Sequence, residues 1–173
     1  MEGLSSGLGD RCRYVPQSVM NVLAITSKGY EYEIDGKPYP QPHVQCDFSV
    51  DGGSLAVAFG FEDGRPWFGQ TCFETVEPYR AELILQLRGI RPSNNQFNTN
   101  RFVLYRCHCG DDNCGIISCG IERAGHVVRW TDLRYEADLD LDEEPMYDGV
   151  VPDFVFDAIE YDSTIERFAK NGT

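Results

Sequence analysis

The sequence predicts an α+β fold, a mostly antiparallel β-sheet with two helices packed on it, and three observations carry that expectation. Short segments of strand character recur along the chain, turn dipeptides separate them, and helical spacing is confined to two segments. The 173 residues are 42% hydrophobic and 25% charged, enough apolar material to bury a substantial core without obligatory staples.

Residues 1–19 are rich in Gly, Ser and Arg without a period and read as a flexible arm, leaving 20–173 as one α+β domain. Gly3-x-Ser5-x-Gly7 matches the nucleophile-elbow pattern but lacks the preceding strand that would expose the serine. Val22 to Ile25 reads as the first strand, and Lys28-Gly29 as a turn from it. Tyr30, Tyr32 and Ile34 alternate with Glu31, Glu33 and Asp35, the signature of a half-buried strand. His43 to Val50 and Leu55 to Phe61 flank Asp51-Gly52-Gly53, whose residue types accept the positive φ of a tight hairpin.

A helix is predicted from Pro78 to Arg88, with Tyr79, Leu83 and Leu87 on one face and Gly89 as its stop. The Asn- and Ser-rich stretch 91–100 reads as a loop. Strands follow at Arg101 to Cys107, Ile116 to Glu122 and Val127 to Trp130, the last two joined at Ala124-Gly125. Glu136 to Asp148 is a solvated acidic connector. After the short strand Val155-Phe156, Asp157-x-x-Glu160 has the form of a capping box. The helix it opens has Tyr161, Ile165 and Phe168 as its apolar stripe.

The formal net charge of −13 argues against nonspecific binding to phosphate backbones, since no basic patch offsets the global field. It also permits a second function class, an acidic surface that docks a basic protein partner or mimics nucleic acid. The first residues carry no basic-then-apolar signal pattern, and no apolar run approaches the roughly 18 residues of a membrane span. A cytoplasmic location is therefore expected, with the seven cysteines reduced.

Most of the chemistry lies in Cys107-His108-Cys109-Gly110-Asp111-Asp112-Asn113-Cys114-Gly115. Gly, Asp and Asn supply a turn, so the flanking strands form a hairpin that brings Cys107, Cys109 and Cys114 together. Glycines beside thiolates let backbone amides approach the sulfurs, and zinc takes four such ligands at about 2.3 Å for sulfur. The predicted role is therefore noncatalytic, with structural zinc on those three cysteines.

The fourth ligand is open between His108 and Cys119, and Cys12, Cys46 or Cys72 are available from elsewhere. In the simplest register Cys119 stands opposite Leu104 and on the wrong face. His108 points away in an ideal strand. A metal-free turn, a Cys109–Cys114 redox pair and a nucleophilic Cys107 beside His108 are the alternatives; Asp111 and Asp112 oppose the last, because a reactive thiol needs an electropositive setting. Asp138-x-Asp140-x-Asp142 opens like a calcium loop, but Glu143 and Gly149 stand where that loop requires Gly and Glu.

Three motifs in order, Cys109-Gly110-Asp111-x-x-Cys114-Gly115, Val128-x-Trp130 and Phe154-x-Phe156-Asp157-x-x-x-Tyr161, resemble a family of uncharacterised small bacterial proteins over about the C-terminal half. The resemblance implies a shared fold for that half and no activity, cofactor or catalytic residue. Cys107 and Cys119 lie outside its pattern.

Overall fold

The computed structural model describes residues 20–30, 33–34, 37–38, 43–61, 70–107, 110–137 and 150–171. Two antiparallel sheets and three helices make an α+β fold. In the first sheet, β1 (Leu23–Tyr30) pairs with β4 (His43–Val50), which pairs with β5 (Gly53–Ser54). The second has the order β6 (Phe102–Arg106), β7 (Ile116–Ala124), β8 (Val127–Glu136) and β9 (Phe154–Asp157). Between β1 and β4, β2 (Glu33–Ile34) and β3 (Lys37–Pro38) form a small ladder of their own.

The helices are α1 (Leu55–Ala58), α2 (Tyr79–Leu87) and α3 (Ala158–Asn171). The inner faces of the two sheets meet through aromatic rings. Phe48 on β4 lies edge-on to Tyr105 on β6 at 5.7 Å and to Trp130 on β8 at 5.5 Å. Trp130 continues the contact to Phe156 at 5.2 Å and to Tyr161 of α3 at 6.2 Å. All five residues are almost fully buried, and such edge-to-face pairs add roughly 0.5–1.5 kcal/mol each beyond area burial.

Several local expectations are corrected. Lys28-Gly29 is not a turn, because β1 runs straight through it with Lys28 opposite Gln45 and Gly29 opposite Val44; continuing the ladder satisfies more backbone groups than turning. The strand expected at 30–34 is therefore split: Tyr30 closes β1, Glu33 and Ile34 form β2, and Tyr32 lies outside the described residues. The Asp51-Gly52 turn holds, but Leu55 to Phe61 is no strand. Ser54 caps α1 by accepting from Val57 N (3.1 Å) while its hydroxyl donates to Asp47 (2.6 Å). The helical turn then buries Leu55 and Phe59 together, an i, i+4 pair on one helix face.

The helix expected over 78–88 is α2, flanked by Pro78 and Arg88, and Leu87 is buried as its spacing required. Tyr79 is not on the buried face, being 67% exposed. In α3 the expected stripe holds, with Tyr161 and Ile165 buried and Phe168 half-buried against Phe73 at 4.9 Å. Asp157 caps that helix, its Oδ1 accepting from Ile159 N and Glu160 N.

A surface ion cluster ties α2, the β7–β8 hairpin and α3 together. Asp162 accepts from Arg88 Nε (3.0 Å) and from Arg123 Nη2 (2.7 Å). Partial burial pushes the Asp162 carboxyl up, but the hydrogen bonds from Arg123 and Arg88 outweigh it and hold the group below the ordinary carboxylate value. A depressed folded pKa contributes stability above the unfolded value of about 3.9 and loses it as pH falls through the folded one. Asp162→Asn is therefore expected to cost about 1–2 kcal/mol at pH 7, and urea unfolding at stepped pH should show that gap closing below about pH 4. A gap that stays constant down to pH 2 would contradict the assignment.

Candidate functional site

The cysteine turn joins β6 to β7. β6 ends at Arg106, one residue before the cysteines begin, so Cys107 is not in a strand as expected. Arg106 faces Ile116 as the last paired rung, and Cys107 and Gly115 are the residues that leave and re-enter the ladder there. Gly110 N donates back to Cys107 O (2.9 Å). Residues Asp112–Cys114 form a 3-10 turn capped by Asp111, whose carboxylate accepts from Asn113 N (2.9 Å). Gln96 from the 91–100 loop steadies the turn by donating to Asn113 Oδ1 (2.9 Å).

Gly115 could be no other residue. Its φ is +107°, and an added Cβ would stand 2.0 Å from the Tyr135 hydroxyl. That hydroxyl donates to Cys114 O (3.3 Å), so the glycine allows β8 to grip the turn beside a cysteine. The turn is acidic. Burial pushes the Asp112 carboxyl up, opposed by Arg106 at 3.5 Å, while neighbouring Asp111 pushes the same way as burial.

Cysteines divide sharply by environment. Cys107 is half-buried and Cys114 exposed, whereas Cys46, Cys72 and Cys119 are buried. Burial, reinforced by Glu74 at Cys46 and Cys72, drives those thiols far up, and burial does the same at Cys119 against the opposing charge of Arg101. A thiol that stays protonated is neither nucleophile nor ready ligand. Cys109 and His108 lie outside the described residues, as does Cys12. Among the described residues, no three His, Cys, Asp or Glu side chains gather in a metal-holding group.

The register of Cys119 differs from the simplest one. Its partner is Phe102, not Leu104, because the ladder begins one residue off that register, with Arg106 opposite Ile116, and a bulge between Val103 and Tyr105 inserts Leu104 as an extra residue. Cys119 packs in the apolar core with no exposure.

Two polar clusters escaped the sequence reading. In the first, Glu74 accepts from Thr71 N (2.7 Å) and Thr71 Oγ1 (2.6 Å), and also from the main-chain N of Cys46. Its signal was present as Thr71-x-x-Glu74, a capping box that starts the 3-10 turn Cys72–Glu74. The second centres on Arg101, which is 6% exposed. The β7–β8 ladder shifts register between Ser118 and Gly120, and Asp132 on β8 takes φ +50° there. Arg101 donates to the Asp132 main-chain carbonyl, to Asp132 Oδ2 (2.8 Å) and to Ser118 Oγ (2.9 Å). Glu136 accepts from Ser118 Oγ (2.7 Å) and Asn95 Nδ2 (3.1 Å) and completes the cluster.

Glu136 is therefore the buried end of β8, not the solvated start of a connector; residues 138–149, including Asp138, Asp140 and Asp142, lie outside the described residues. No helix among the described residues is long and apolar enough to cross a membrane. No protein-family model, curated protein or solved structure matches the chain.

Proposed function

We propose that this is a noncatalytic cytoplasmic protein whose β6–β7 turn holds a structural zinc ion through Cys107, Cys109 and Cys114. The observation that carries the reading is the division of the thiols. Three described cysteines are sealed in the core, while the two that border the turn are the ones left at the surface. The donor set fits zinc, which takes thiolate readily. A zinc ion there would clamp the mouth of a turn whose described supports are Tyr135, Gln96, the Asp111 cap and the Arg106–Asp112 pair.

His108 is the fourth ligand in this reading. Cys119 is disfavoured by its burial in the core, and the end of β6 at Arg106 removes the pleat expected to turn His108 away. A thiol enzyme is less well supported. Arg106, the cation next to Cys107 in the chain, is paired with Asp112, and Asp111 adds a second carboxylate beside that one, so the surroundings do not favour a thiolate nucleophile in the absence of metal.

Cobalt substitution tests the ligand set. The cobalt-loaded protein should show a thiolate-to-metal charge-transfer band that weakens in Cys107→Ser, Cys109→Ser and Cys114→Ser but not in Cys119→Ser. His108→Ala should leave that band and shift the ligand-field bands. An unchanged spectrum in all three cysteine variants would overturn the assignment.

A further inference from the structure

We propose that the edge of β1 and the adjoining face of α3 form a groove that binds an extended, basic peptide segment of a partner protein by strand addition. This rests on a different part of the molecule from the cysteine turn. Among the described residues β1 pairs with β4 alone; Asn21, just before it, is bridged to Phe156 of β9, which leaves the other edge without a strand from Leu23 onward. Asp51 N donates to Val22 O (2.9 Å). In the alternating antiparallel pattern the even-numbered residues therefore bond toward β4, and the N–H and C=O groups of Leu23 and Ile25 point to the open edge.

The groove follows that edge. Its two adjoining pockets have volumes of about 440 and 370 Å3, in the range that accommodates peptide side chains. Val22 and the first three residues of β1, Leu23 to Ile25, line the first. Successive strand residues point to opposite faces, so a cavity touching all four runs along the edge. The opposite wall is one stripe of α3, Glu160, Thr164, Arg167 and Phe168, at the i, i+4, i+7, i+8 spacing of a single helix face. A strand edge facing one helix stripe offers main-chain hydrogen bonds on one side and side-chain pockets on the other.

Charge selects the occupant. At the end where the chain enters β1, Asp157 and Glu160 line the second pocket. No Lys or Arg lines that pocket, Arg167 lying in the wall of the first, and the chain as a whole carries −13. A lysine or arginine of the incoming strand meets these two carboxylates, while its apolar residues cover Val22, which is 68% exposed.

The test uses the full chain, isotopically labelled, and a fluorescent hexapeptide of alternating valine and lysine, with a valine–glutamate hexapeptide as control. Saturable binding of the basic peptide alone is expected, with amide shifts confined to residues 20–25 and 157–168. Thr164→Trp, which fills the groove, should weaken binding on the order of tenfold, and Glu160→Gln roughly two- to fivefold. Unchanged unfolding midpoints in both variants would separate blocked binding from misfolding. Three results would overturn the proposal: no saturation at millimolar peptide, shifts centred elsewhere, or equal binding of the acidic peptide. Slow hydrogen exchange at Leu23 and Ile25 without peptide would do so too, by showing that this chain or a second copy already covers the edge.

Discussion

Replacing Trp130 with alanine is expected to destabilise the protein by about 3–5 kcal/mol, a large fraction of the roughly 5–15 kcal/mol that holds a domain folded. The indole is wholly buried between the two sheets and touches Phe48, Phe156 and Tyr161. Its Nε1 donates to the Tyr161 hydroxyl (2.9 Å), and that hydroxyl donates to Leu87 O (2.7 Å) at the end of α2. One ring thus ties both sheets, α3 and α2 into one core. Trp130→Phe keeps most of the volume and loses the donor, so its cost should be about 1–2 kcal/mol. Urea unfolding measures both. Equal losses in the two variants would show that the hydrogen-bonded chain matters more than the filled volume.

Arg101→Met is expected to cost about 3 kcal/mol. The substitution keeps an apolar stem and removes a guanidinium that bonds Ser118 and both the carbonyl and the carboxylate of Asp132. Without it the bulge carbonyl loses its donor, and Glu136, only 10% exposed at its side chain, keeps among the described residues Arg134 as its cationic partner. Arg101→Lys should recover only part of the loss, since a single ammonium does not span three acceptors. Amide exchange at residues 131–134 provides a second readout, faster in both variants because the bulge is no longer pinned. Full rescue by lysine would mean that charge alone, not the fork, holds the site.

Repetition and turn chemistry made much of this fold legible. The strands at His43 to Val50 and Ile116 onward, the helix stopped by Gly89 and the closing helix opened by Asp157 each follow from local spacing and local caps. What sequence did not reveal depends on partners distant in the chain. The Leu55 segment turns helical because Ser54 finds Asp47 seven residues earlier. β1 passes through Lys28-Gly29 because β4 supplies a full ladder. The bulges at Leu104 and Asp132 have no residue signature of their own; the second is held by Arg101, which arrives from 31 residues earlier in the chain.

The candidate site shows the same division. The turn itself, with its glycines and aspartates, was legible because those residues dictate backbone conformation locally. That Cys46, Cys72 and Cys119 are core residues was not, since a cysteine destined for burial and one destined for a metal look alike in a sequence. Gly115 read only as a turn residue until Tyr135 arrived from another strand to occupy the space a side chain would need.

The zinc content of untagged full-length protein, purified without chelator, tests the central claim most directly when combined with site-resolved alkylation in native buffer. The structural reading predicts about one zinc per chain, with Cys107, Cys109 and Cys114 protected until a chelator is added and then modified rapidly, while Cys46, Cys72 and Cys119 stay protected by burial throughout. Zinc-free protein whose three turn cysteines react at once, with no effect of chelator, would contradict it.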